Sequence, residues 1–151
     1  MLIHELKFHG RRRVAARLAE AMLAQEPVRR VLTGGTTVVP VPLHPKRGRE
    51  RGFNQAELLA VELGRRARLD VAKGVLVRSR PTPPQTGLSA AGRRRNVTGA
   101  FSVRRRRRIQ GRDVVLVDDV LTTGATALAC GRALRAAGAS EVRLLTAARV
   151  L

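Results

Sequence analysis

A chain of 151 residues fits one ordinary domain and can bury roughly 70% of its unfolded surface around a single core. Thirty Lys and Arg against eleven Asp and Glu give a formal charge of +19; with no Trp, no Tyr and only three Phe, the core must be built from Val, Leu and Ala. A single cysteine, Cys130, excludes an internal disulfide, no Cys/His grouping has the spacing of a zinc site, and neither a signal peptide nor an apolar run near the roughly 20 residues of a membrane span is present. These features predict a cytoplasmic protein with no metal site of its own and no membrane association. The positive charge attracts polyanions, but arginine runs also follow from a high-GC coding sequence, so charge alone does not make a DNA-binding protein.

From the N-terminus, Leu2, Leu6, Ala15, Leu18, Ala19 and Met22 recur at helical spacing, with a break expected at Gly10. No Ser, Thr, Asp or Asn precedes this helix as a cap, which suggests a natural polypeptide extending further upstream. Residues 33–37 read as a connector. Val38, Val39 and Val41 are β-like, although Pro40 and Pro42 would demote the run to an edge strand or an extended loop. A polar loop is expected over residues 43–52. Asn54 then caps a helix whose Ala56, Leu59, Ala60, Leu63 and Ala67 share one face, and residues 75–77 read as a strand.

Residues 78–99 carry three prolines, three glycines and an arginine cluster without periodicity, as expected of a mobile functional loop. Residues 114–117 form an apolar, mostly β-branched run of the kind that is covered on both faces of a parallel sheet. A helix over 126–137 stopped by Gly138, and a strand over 142–146, complete the pattern. Alternating strands and helices predict an α/β fold, an open parallel sheet flanked by helices, with ligands beyond the strand C-termini. The expected organisation is an N-terminal helix and connector over 1–36 and an α/β domain over 37–151.

The string Val114-Val115-Leu116-Val117-Asp118-Asp119-Val120-Leu121-Thr122-Thr123-Gly124-Ala125-Thr126 carries the chemistry. A buried strand delivers two carboxylates, and a Thr/Gly turn at a helix N-terminus follows at once. Thr122, Thr123, Gly124, Ala125 and Thr126 would offer backbone N–H groups, hydroxyls and the positive end of the helix dipole to a phosphate. Two carboxylates beside an anion need hydroxyl donors or a divalent cation to meet. A ribose 5-phosphate answers both demands, with its 2- and 3-hydroxyls at Asp118 and Asp119.

This string resembles the signature of the type I phosphoribosyltransferases. Four further motifs, Val39-Pro40-Val41-Pro42-Leu43-His44-Pro45-Lys46-Arg47, Arg51-Gly52-Phe53-Asn54-Gln55-Ala56, Thr82-Pro83-Pro84-Gln85-Thr86-Gly87-Leu88 and Arg93-Arg94-Arg95-Asn96-Val97-Thr98-Gly99-Ala100-Phe101, resemble the ComF family, associated with competence and DNA uptake. The resemblance implies a type I phosphoribosyltransferase-like sheet that binds 5-phosphoribosyl 1-pyrophosphate with Mg, the ion held mainly by the ligand's oxygens and water. It implies a pyrophosphate loop at Leu43, His44, Pro45, Lys46 and Arg47, in which His44 orders the loop rather than acting as a base. Gln85, Arg95 and Asn96 are expected to contact the ligand from the mobile loop. Relatives often carry a cysteine-rich zinc-binding segment ahead of a stretch like Leu6-Lys7-Phe8, which the sequence as given does not contain.

Three functions follow as expectations. The first is transfer of ribose 5-phosphate to a nitrogen acceptor that the sequence does not identify. The second is a sensor that keeps the sugar-phosphate pocket, and the third is single-stranded DNA binding through Arg104, Arg105, Arg106, Arg107 and Arg108, with the oligomeric state left open.

Overall fold

A computed structural model describes residues 12–79, 89, 91 and 99–150. Helix α1 (Arg12–Leu23) buries Val14, Ala15, Leu18, Ala19 and Met22, the face that the apolar spacing predicts; residues 1–11 of the predicted helix lie outside the described residues. A short helix α2 (Glu26–Val31) starts with a proline in its first turn, and the turn from Thr33 to Thr36 leads into strand β1 (Thr37–Pro40). After helices α3 (Pro45–Arg51) and α4 (Gln55–Ala67) come β2 (Asp70–Val71), β3 (Leu76–Arg78), β4 (Phe101–Val103), β5 (Asp113–Leu121), α5 (Ala125–Ala136) and β6 (Glu141–Arg149).

The main sheet is parallel throughout, in the order β2-β1-β5-β6. Side chains alternate across it. Val39, Val114 and Leu116 pack on one face with Cys130 and Leu134 of α5 and with Leu76, Phe101 and Ile109. Val38, Val115 and Val117 pack on the other with α1 and with Leu59, Ala60 and Leu63 of α4. Two helical layers therefore sandwich the middle strands, which explains why β5 reads as an apolar run.

The edge-strand expectation for β1 is corrected: all four of its residues are buried, and it lies between β2 and β5. Alternate residues of a parallel strand bond to opposite neighbours. Val41 donates its N–H to Val117 O at 2.9 Å, so the nitrogen of Pro40 faces β2, where the last bond is Ala72 N–H to Val38 O at 2.8 Å. The proline thus cuts short the pairing with β2 instead of driving β1 to the edge.

Two other expectations shift. The strand predicted at 75–77 forms one residue later as β3, and it pairs antiparallel with β4 outside the main sheet. The parallel neighbour of β1 is instead the two-residue β2, too short to show a pattern. The polar loop at 43–52 contains a helix, α3, with proline in its first turn and Gly52 at φ 73° after its end. Being short, charged and on the surface, α3 has no apolar stripe to betray it. The stop at Gly138 is as predicted: at φ 102° its N–H bonds Arg135 O, while Ala139 N–H reaches back to Leu134 O, closing α5 in a Schellman turn.

Candidate functional site

The site begins where β1 ends. Strand β5 does not stop at Val117, as the apolar run suggests, but continues through the acidic pair, because β6 stays paired with it as far as Leu121 opposite Arg149. Past Pro40 the other side of β5 has no strand beside it among the described residues. The N–H of Asp119, which faces that side, is taken instead by Asp118 Oδ1 at 2.9 Å, and Val120 N–H is taken by Asp119 Oδ1 at 2.9 Å.

Being consecutive in a strand, the two carboxylates address opposite faces of the sheet. Asp118 is on the α5 side. Burial first, and then the Asp118 charge, push the Cys130 thiol of α5 well up, so this cysteine is a protonated core residue and not a nucleophile. Asp119 is on the α4 side, 7% exposed, and its Oδ2 accepts from Gln55 Nε2 at 3.3 Å. The sequence places Gln55 in a motif without indicating a role for it.

The turn after β5 exposes Thr122 and Thr123 and brings Gly124 to φ 78° at the N-cap of α5. Only glycine adopts that conformation without strain. Gly124 makes no side-chain cap at this end of the helix, and Ala125 N–H has one long contact to Thr123 Oγ1 at 3.5 Å; the turn borders a recess. That recess, about 50 Å³, is lined by Asp118, Thr122, Gly124, Ala125, Thr126 and Thr146. Asp118 and four residues of the turn, Thr122, Gly124, Ala125 and Thr126, thus share one recess, which Thr123 and Asp119 do not line.

The cationic segment expected at residues 43–47 follows β1. His44 N-caps α3 by accepting from Lys46 N–H through Nδ1 at 3.2 Å, so it orders this turn. Lys46 is exposed and Arg47 is half-buried. Asn54 ties the region to the sheet: Nδ2 donates to Val41 O at 2.9 Å, while Oδ1 caps α4 by accepting from Ala56 N–H at 3.0 Å. Arg78 of β3, unremarkable in the sequence, lies within electrostatic range of Arg47 and 5.4 Å from the centre of the Phe101 ring. Burial, then Arg47, pull its guanidinium below the usual arginine range.

Gln85, Arg95 and Asn96, expected to contact the ligand from a loop, lie outside the described residues. The stem of that loop is described: Ser79 N–H and Oγ both bond Ala100 O, at 2.8 and 3.2 Å, so residues 78 and 79 belong to a closed antiparallel stem and not to the loop itself. The arginine run from 104 to 108 is not uniformly solvated either. Arg106 donates to Ala136 O and Ala137 O at the end of α5, at 3.3 and 3.4 Å, and Arg108 pairs with both oxygens of Asp70 at 2.8 and 2.9 Å. Arg104, Arg105 and Arg107 remain exposed.

Comparison with known proteins identifies the family. Residues 49–150 match the phosphoribosyl transferase domain family. The chain belongs to that family. Within it, the chain is 38% identical over 154 residues to the DNA utilization protein YhgH of Escherichia coli O157:H7, covering 100% of this chain and 67% of that protein. It is 35% identical over 153 residues to Competence protein F of Haemophilus influenzae, covering 99% of this chain and 67% of that one, which bears out the ComF resemblance. The chain thus spans about two thirds of each relative's length. Among solved structures, glutamine phosphoribosylpyrophosphate amidotransferase from B. subtilis aligns with a TM-score of 0.57 at 25% identity, over 88% of this chain and 26% of its own. The open parallel sheet flanked by helices is therefore the phosphoribosyltransferase type. No helix among the described residues is long and apolar enough to cross a membrane.

Proposed function

We propose that this domain binds 5-phosphoribosyl 1-pyrophosphate and transfers its ribose 5-phosphate to a nitrogen acceptor. The observation that carries the reading is the recess at the start of α5, where Asp118 and the turn from Thr122 to Thr126 line one small space around a left-handed Gly124. The 5-phosphate suits the amides of that turn, the ring hydroxyls suit the carboxylates, and Lys46 and Arg47 would supply the cations that a diphosphate leaving group needs. In the transfer, the bond from the anomeric carbon to the diphosphate oxygen breaks with its electron pair leaving on oxygen. A bond from the acceptor nitrogen to that carbon then forms.

No group of three or more His, Cys, Asp or Glu among the described residues is arranged as a metal cage. Asp118 suits a single outer contact to a hydrated magnesium ion that arrives with the diphosphate, where it would neutralise leaving-group charge. Thermal denaturation tests the reading. At a ligand concentration about 100 times the dissociation constant, binding adds about 2.7 kcal/mol, a rise of roughly 5–10 °C for a domain of this size. No rise with 5-phosphoribosyl 1-pyrophosphate and magnesium would count against it.

A second reading rests on the exposed guanidinium groups of Arg104, Arg105 and Arg107, which no carboxylate pairs with among the described residues, and on the names of the relatives. In it the domain binds single-stranded DNA and the sugar-phosphate pocket serves as a sensor. Phe53 and Phe101 are the only aromatics after the first helix, so attraction would be mainly ionic. Replacing those three arginines with Ser spares the structural Arg106 and Arg108. It should flatten the plot of log affinity against log salt by about 0.7 for each phosphate that is no longer neutralised. An unchanged slope would remove nucleic acid from this surface.

A further inference from the structure

Gln55 occupies a position where neither the helix cap nor the tie to the sheet needs its amide. It is the first residue of α4 and 6% exposed, yet the cap of that helix and the tie to β1 are both made by its neighbour Asn54. Its Oε1 is buried without a hydrogen-bond partner. A buried acceptor with no donor is unfavourable, and an apolar side chain of the same length would fill the space without that penalty. What the amide does is donate from Nε2 to Asp119 Oδ2, while Val120 N–H holds Oδ1. The amide cannot be turned over, because Oε1 would then face the carboxylate.

Asp119 is thereby fixed in one orientation, with an unmet acceptor beside it. A carboxylate so held suits a neutral donor such as a hydroxyl and repels a phosphate. We propose that Gln55 is a positioning residue of the sugar site. It holds Asp119 to receive a ring hydroxyl, and so makes the pocket specific for a pentose bearing both vicinal hydroxyls. This rests on the sugar-phosphate reading above.

The test is a set of dissociation constants for ribose 5-phosphate and 2-deoxyribose 5-phosphate, measured on the wild type and on Gln55→Leu. The wild type should prefer ribose 5-phosphate by about 10-fold or more, as expected when a hydroxyl meets a charged acceptor. Gln55→Leu should lose most of that preference by weakening ribose 5-phosphate alone, leaving the deoxy sugar within about 2-fold of its wild-type value. If Gln55→Leu does not fold, Gln55→Met takes its place. A folded variant that keeps the full preference overturns the proposal, and so does an equal loss for both sugars, the mark of a merely structural role, or a wild type that binds the two alike. A wild type that binds neither sugar overturns instead the sugar-phosphate reading, and this proposal with it.

Discussion

Asp118→Asn combined with Asp119→Asn should abolish the thermal stabilisation by 5-phosphoribosyl 1-pyrophosphate and magnesium while leaving a folded protein. Each substitution keeps the side-chain volume, so the core around β5 is not opened. What disappears is the pair of charged acceptors for the ring hydroxyls, each such hydrogen bond being worth about 1.5–3 kcal/mol. That is enough to cancel the roughly 2.7 kcal/mol that ligand at 100 times the dissociation constant provides. The two single variants should differ. Asp118 lines the recess, so Asp118→Asn acts on the ligand with little effect on the apo melting temperature. Asp119 is 7% exposed and bonded to Gln55, so Asp119→Asn should also lower the stability of the apo protein. A folded double variant with the wild-type ligand response would remove the acidic pair from the site.

The second large effect is expected from Gly124→Val. A Cβ at this position meets only Leu121 Cδ1 at 3.6 Å, an ordinary van der Waals distance, so crowding is not the obstacle. The backbone is: φ of 78° is strained for any residue with a Cβ, by about 1–2 kcal/mol, and more so for a β-branched one. To relieve that strain the turn must move, and its amides lose their aim on the recess. Gly124→Val should therefore lower stability by at least about 1 kcal/mol. It should also weaken ribose 5-phosphate by about 10-fold or more, the loss of one or two charge-assisted hydrogen bonds. Thr123→Ala, which removes one exposed hydroxyl, should be milder. Equal affinity in the wild type and Gly124→Val would mean that the phosphate does not sit on this turn.

How much of this was legible in the sequence depended on whether a local pattern was enough to show it. The apolar faces of α1 and α4, the Asn54 cap, the β5 run and the Gly138 stop each follow from local periodicity or from the chemistry of one side chain. The turn at the start of α5 was legible because a glycine, hydroxyls and the start of a helix are contiguous at residues 122–126. Two kinds of feature were not legible. One is structure too short or too polar to carry a period: β2 is two residues long, and α3 is charged along its length. The other is any relation set by tertiary pairing. The central place of β1 depends on which neighbour the nitrogen of Pro40 faces. The uses of Arg106 and Arg108 depend on partners thirty or more residues away in sequence, and the hold of Gln55 on Asp119 spans 64. The divergence of Asp118 and Asp119 was implicit in the two-residue period of a strand, but only once β5 was known to run through them.

The most direct test of the central claim is to follow the backbone amides of the isotopically labelled protein by NMR during titration with 5-phosphoribosyl 1-pyrophosphate and magnesium. Saturable shifts should be largest at Asp118, Asp119 and Thr122 to Thr126, with smaller ones at Lys46 and Arg47, and the two groups should share one dissociation constant. Saturable shifts elsewhere that leave the turn at the start of α5 unmoved, or no saturable shift at all, would contradict it.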